Sequence, residues 1–347
     1  MDNTRNVTHN VDGPQPRSHK NTTDMKLIGN AGWVALFTAA LGYAVSALAA
    51  DRIDATSPEY KSHHIKTLED KGRRAISERW QEAKLQASLP GGFAHTAPNI
   101  LEGADRLGRV FDVLTRSGRA LKVVQLGDSH VAGGTYPAAV RTTLEKVWGR
   151  AEGDSLSVGL RFNYLAQNGA TAEGFITPQR AQQIAEMTPD LIIVSFGTNE
   201  CHGMGYDPQA HRRQLETVYD RLTEACPEAV IMLTTPPGDY LSRTTTQAVR
   251  RGSRTHRRRT SVRGANPMTA KCAEVIRTFG SEKGLAVWNL NAIAGGDSSA
   301  SNWVAAKLMR PDHIHFTPEG YRLHGNLLGE AILSAYNSYL TAPATTN

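Results

Sequence analysis

A chain of 347 residues, 40% hydrophobic and 21% charged, has the ordinary make-up of a globular protein and is long enough for one large domain or two small ones. Three cysteines are too few for a disulfide scaffold. Eight arginines and no acid fall between Leu241 and Gly264, more than the whole formal charge of +6, so the pI near 9.2 describes one segment and excludes a basic fold.

Residues 1–24 are polar and poor in bulky apolar side chains, which predicts a disordered extension. Residues 25–50 read as a signal segment. Met25-Lys26 precedes an uncharged stretch from Ala31 to Ala50, and Ala47-Leu48-Ala49 sets small residues before a cleavage point after Ala49. The weak hydrophobicity of its many alanines and glycines favours cleavage. An uncleaved anchor in the inner membrane is the competing reading, since about 20 apolar residues just span a bilayer. Residues 51–98 read as a charged helical arm or linker, with a helical stretch at Arg74–Gln86 and a break at Leu89-Pro90-Gly91-Gly92.

From Ile100 to Leu114 the apolar residues recur at helical spacing. Strands are then predicted at Lys122–Leu126, Ser157–Leu165, Leu191–Phe196, Val230–Thr234 and Leu285–Leu290. Helices are predicted at Tyr136–Val147, His211–Ala225, Thr269–Lys283 and Pro318–Tyr339. This alternation implies a mostly parallel five-stranded sheet between two layers of helices, a three-layer α/β/α sandwich. Residues 241–264 interrupt it. Their Thr, Arg, Ser and Gly content lacks apolar periodicity and reads as a solvated loop on the active-site side of the sheet, either without a specific ligand or as a basic flap for an anionic polymer. No interleaved aromatic platform accompanies the arginines, so nucleic acid is not expected as a partner.

Three stretches carry chemistry. Val123-Val124-Gln125-Leu126-Gly127-Asp128-Ser129-His130 puts a hydroxyl at the carboxyl end of a strand, where open α/β sheets bind ligands. Gly197-Thr198-Asn199-Glu200 closes a second strand, and Asp312-His313-Ile314-His315-Phe316-Thr317 precedes the last helix. With Asn168-Gly169-Ala170-Thr171 they resemble the four ordered blocks of the SGNH (GDSL-type) hydrolases over Asn99–Leu340, most of all the bacterial peptidoglycan O-acetylesterases. The resemblance implies a flavodoxin-like SGNH hydrolase domain at 99–341 and peptidoglycan muramoyl O-acetyl groups as substrate. It also implies an enzyme in the periplasm or cell envelope. Some family members carry an inserted carbohydrate-binding domain, for which the spacings here leave no room.

Ser129 is the expected nucleophile, His315 its base and Asp312 the carboxylate that holds His315. The backbone amides of Ser129 and Gly169 and the side-chain amide of Asn199 are the expected oxyanion donors. Asp128 is expected to fix the turn, Thr198 and Glu200 to shape loop and helix start, and His130 to be structural. His313 is expected to face away from the site, which leaves the His313-x-His315 pair without a third metal ligand. No metal or cofactor is expected, and the substrate-binding residues are not legible. The cysteines read as three thiols. Were one bridge to form, Cys201 and Cys272 would be nearer one another than either is to Cys226. Rival functions on the same scaffold are a carbohydrate O-acetyltransferase, a short-chain lipid esterase and a silent wall-binding module.

Overall fold

A computed structural model describes Leu89, Phe93 and residues 96–151, 158–252 and 254–342. The expected extension at 1–24, the signal segment at 25–50 and nearly all of the arm at 51–98 lie outside the described residues. Among the described residues no helix is long and apolar enough to cross a membrane.

Eight strands are present among the described residues: β1 (Leu101–Glu102), β2 (Ala120–Gly127), β3 (Gly159–Ala166), β4 (Leu191–Ser195), β5 (Val230–Thr234), β6 (Tyr240–Arg251), β7 (Arg254–Ala265) and β8 (Ala286–Trp288). The longer helices are α1 (Gly108–Arg116), α2 (Thr135–Trp148), α3 (Pro178–Glu186), α4 (Pro208–Ala225), α5 (Met268–Lys283) and α6 (Pro318–Thr341). Six strands form the central sheet in the order β1-β8-β5-β4-β2-β3. All neighbours are parallel except β1, which pairs antiparallel with β8 through Leu101↔Trp288 and Glu102↔Val287. The sheet therefore has six strands where five were expected. The extra one is a two-residue edge, too short to show a period, and α1 starts at Gly108 after a 3-10 turn over Ala104–Leu107.

Strand side chains alternate between two cores. Val123, Leu191, Ile193, Met232 and Trp288 pack with α1, α2 and α6 on one face. Val124, Leu126, Ile192, Val194, Ile231 and Leu233 pack with α4 and α5 on the other. Each large apolar side chain fully buried this way contributes about 1.5–3 kcal/mol. The three-layer sandwich is thus dictated by strands that are apolar at successive positions, as a sheet covered on both faces requires. The chain leaves β2 for β3 by one face and β4 for β5 by the other. That topological switch opens a crevice at the carboxyl ends of β2 and β4.

The Arg-rich segment corrects the expectation of a loop. It is an antiparallel hairpin, β6 against β7, in register from Tyr240↔Ala265 to Arg251↔Arg254. Both faces are exposed over most of its length, so no apolar alternation marks it, while its threonines and valines suit extended backbone. Its root is clasped. The Asn266 amide donates to the Asp239 carbonyl (2.9 Å), and the buried Asp239 carboxylate accepts from Asn266 Nδ2 (2.9 Å), Thr269 Oγ1 (2.6 Å) and the His202 ring.

Cys201, Cys226 and Cys272 are buried and unbridged. Cys201 and Cys272 both donate to the Gly197-Thr198 turn, whereas Cys226 follows the last residue of α4, ahead of β5.

Candidate active site

Ser129 opens a one-turn helix, Ser129–Ala132, directly after β2. Asp128 caps that helix by accepting from the His130 amide through Oδ1 at 2.9 Å. It is 1% exposed, and burial raises its carboxyl to about 6 against the pull of that bond. His130 is buried too, its ring within reach of the Tyr321 hydroxyl (3.2 Å), and burial lowers it to about 4, so it sits there neutral.

His315 arrives from a compact turn. The Arg310 amide donates to the His315 carbonyl (2.7 Å), and the His313 amide donates to the Arg310 carbonyl (3.0 Å). Within it Asp312 Oδ1 accepts from the amides of Ile314 and His315, both at 2.9 Å, leaving Oδ2 for His315 Nδ1 at 3.0 Å. Partial burial would raise the Asp312 carboxyl, but these bonds together hold it below the usual carboxylate range. With Nδ1–H given to Asp312, His315 Nε2 is left to accept from Ser129 Oγ, 3.1 Å away. Ser129, His315 and Asp312 are therefore brought together in one hydrogen-bonded series. His313, at φ 62, turns outward, with its Nδ1 2.9 Å from the Pro311 carbonyl and its ring stacked on Tyr240 at 5.0 Å.

A cleft of about 560 Å³ opens beside the pair. Ser129, Gly169, Asn199 and His315 line it, together with Arg310 and Tyr321. Gly169 has φ 73, a left-handed backbone that favours glycine. Asn199 Nδ2 donates to the Ala170 carbonyl (2.9 Å) and to Asp128 Oδ2 (3.3 Å), so any donation to an oxyanion requires exchange of the longer bond. Thr198 is buried at the start of its short helix.

Glu200 does more than start a helix. Its Oε2 accepts from the Gly197 amide (3.0 Å) and its Oε1 from the Ala172 amide (2.7 Å), tying the loop that holds Asn199 to the loop that holds Gly169. Burial raises its carboxyl to about 7 despite those bonds. Arg310 and Tyr321 escaped the sequence reading as well. The available signal was their place around the motif, a cation ahead of Asp312 and an aromatic after Thr317.

The profile of the GDSL-like Lipase/Acylhydrolase family matches residues 126–323. No curated protein sequence matches the chain. Among solved structures, a peptidoglycan O-acetylesterase aligns with a TM-score of 0.52 at 16% identity, covering 68% of this chain and 96% of its own. The lipase/acylhydrolase from Enterococcus faecalis aligns at 0.41 and 19% identity, covering 62% and 96%. A GDSL-like lipase from Bacteroides thetaiotaomicron aligns at 0.40 and 16% identity, covering 67% and 100%. At such identities the likeness is one of fold.

Proposed function

The chain belongs to the GDSL-like lipase/acylhydrolase family and is a serine hydrolase of ester bonds; from that premise we propose that it is an exported esterase removing O-acetyl groups from a cell-wall polysaccharide, peptidoglycan foremost, through an acetyl-Ser129 intermediate. The observation that carries this reading is the hydrogen-bonded series Ser129–His315–Asp312 at 3.1 and 3.0 Å, open to a cleft within the usual size range of small-ligand sites.

In the first half-reaction Ser129 Oγ attacks the acetyl carbonyl and its proton passes to His315 Nε2. Asp312 holds Nδ1–H and stabilises the imidazolium. Negative charge gathers on the former carbonyl oxygen, within reach of the Ser129 and Gly169 amides and of Asn199 once it leaves Asp128. Each such donor contributes roughly 10²–10³ in rate. Collapse breaks the bond to the sugar oxygen, which takes the proton from His315. Water then gives a proton to His315, attacks the acetyl-serine, and acetate leaves as Ser129 regains its proton.

The uncharged stretch Ala31–Ala50 with its Ala47-Leu48-Ala49 box and the fold-level likeness to a peptidoglycan O-acetylesterase support an envelope substrate. The test is acetate release from acetylated peptidoglycan by protein lacking residues 1–50. Release that stops with Ser129→Ala is the expected result. Hydrolysis of small acetyl esters without release from peptidoglycan would overturn the substrate. Acetyl appearing on an added sugar in place of free acetate would make the protein a transferase.

A further inference from the structure

We propose that one face of the β6–β7 hairpin is a docking track for a carboxylate-bearing glycan and leads that polymer to the Ser129 cleft, an inference that rests on the polysaccharide reading above. Directly paired residues of an antiparallel hairpin share a face. The register therefore sets Arg250, Arg257, Arg259 and Arg263 on one face and Arg243, Arg251, Arg254 and Arg258 on the other, so position and not number of charges tells the faces apart. The first set is continuous with the active site. Arg263 at the root donates to the Pro311 carbonyl, and the preceding residue, Arg310, lines the cleft. Outward from Arg263, alternate residues on one strand face recur about every 6.8 Å. Guanidinium groups thus mark a path away from the cleft along the arm.

The chemistry of that face fits a charged sugar polymer. Arg250, Arg257 and Arg259 are exposed, and none pairs with an acid among the described residues. Guanidinium binds carboxylate through two parallel hydrogen bonds. The same face carries the hydroxyls of Ser242, Ser261, Thr244 and Thr246, the first two 2.7 Å apart. A nucleic acid would need stacking surfaces, yet the arm's one aromatic residue, Tyr240, is already stacked on His313. A membrane would need apolar side chains to insert, and the exposed Val249 and Val262 lie on the opposite face. The Asp239–Asn266 clasp and the bond from the Tyr240 amide to the His313 carbonyl (3.1 Å) hold the root against the His315 turn, so the track has a set direction.

The decisive experiment is co-sedimentation with purified peptidoglycan sacculi in the Ser129→Ala background, which separates capture from chemistry. Two triple variants with equal charge loss are compared, Arg250→Gln/Arg257→Gln/Arg259→Gln and Arg243→Gln/Arg254→Gln/Arg258→Gln. Thermal unfolding checks that both fold. The first should lose about tenfold in apparent affinity, as three exposed charge contacts allow, and the second much less. Wild-type capture should weaken as salt rises. Equal losses would reduce the arm to a bulk charge, and no loss from either would remove it from binding. Tighter wild-type binding to phosphatidylglycerol vesicles or to polyuridylate would assign the arm to a membrane or to nucleic acid. Acetate release by the Ser129 enzyme stands apart. Face-dependent capture without release keeps the track and sinks the esterase substrate, while release with face-independent capture sinks the track alone.

Discussion

Asp312 decides which nitrogen of His315 faces the serine. Its carboxyl, held below the usual range, takes Nδ1–H and leaves Nε2 as the acceptor for Ser129. Asp312→Asn would favour the wrong tautomer, and turnover should fall on the order of 10³–10⁴-fold with little change in KM, as steady-state kinetics on a soluble acetyl ester would reveal. Ser129→Ala and His315→Ala should each nearly abolish turnover, and the double variant should be scarcely worse, because the two act as a unit. Multiplicative losses would count against a shared mechanism. Asp128 makes a different prediction. Its folded pKa is raised to about 6, so what it contributes to stability is present at low pH and lost as pH rises through that value. Relative to wild type, Asp128→Asn should therefore gain stability as pH rises toward and past 6, read from urea unfolding at a series of pH values. Using the difference isolates Asp128 from the buried histidines His130 and His324, whose lowered pKa values act in the opposite sense. At this scale the sequence reading reached Ser129, Asp312, His315, Gly169 and Asn199, because each sits in a motif at a strand end or before a helix. Arg310 and Tyr321 became visible only when the fold folded their stretches of chain around one cleft.

Among elements, the turn after β4 is constrained both in backbone and in space. Gly197 has φ 131, and an added Cβ would meet Pro236 Cδ at 2.6 Å and Cγ at 2.8 Å. Gly197→Ala combines backbone strain with a clash and should destabilise by about 2–4 kcal/mol in chemical unfolding. Glu200→Gln tests the bridge between loops. A glutamine can offer an acceptor to only one of the Gly197 and Ala172 amides, so stability should fall by about 1–3 kcal/mol. Turnover should fall as well, although Glu200 is not among the residues lining the cleft. Wild-type turnover in a destabilised variant would make the bridge purely structural. The main strands and helices were legible because their apolar runs bury both faces of a sheet or one stripe of a helix. Two residues of β1 cannot show a period. The hairpin hid for the opposite reason: twelve-residue strands exposed on both sides have no buried face to impose alternation. The helix α3 was overlooked although Thr177-Pro178 marks its start as Thr317-Pro318 marks that of α6.

On the scale of the whole molecule, the hairpin enters and leaves the sandwich through neighbours. The chain departs at Asp239 and returns at Asn266, whose amide donates to the Asp239 carbonyl. All of 240–265 is thereby a closed excursion, and the route of every other strand through the sheet is independent of it. Two deletions of unequal depth should behave differently. Joining Thr245 to Thr260, which face each other in register, by a two-residue turn keeps Tyr240 and Arg263 on the His315 turn. Excising 240–265 entirely takes those contacts away and should cost more turnover on a soluble ester than the shorter deletion does. Equal losses would show that the root does not steady His315. The adjacency of the two ends has a further consequence for descent and for engineering. A segment whose ends already touch can be lost, exchanged or transplanted as one cassette, because neither the donor nor the host must re-route its backbone. Grafted at the corresponding strand end of another hydrolase with this sheet, the arm should carry a preference for charged polymers to an enzyme that never had one, while the host keeps its own chemistry.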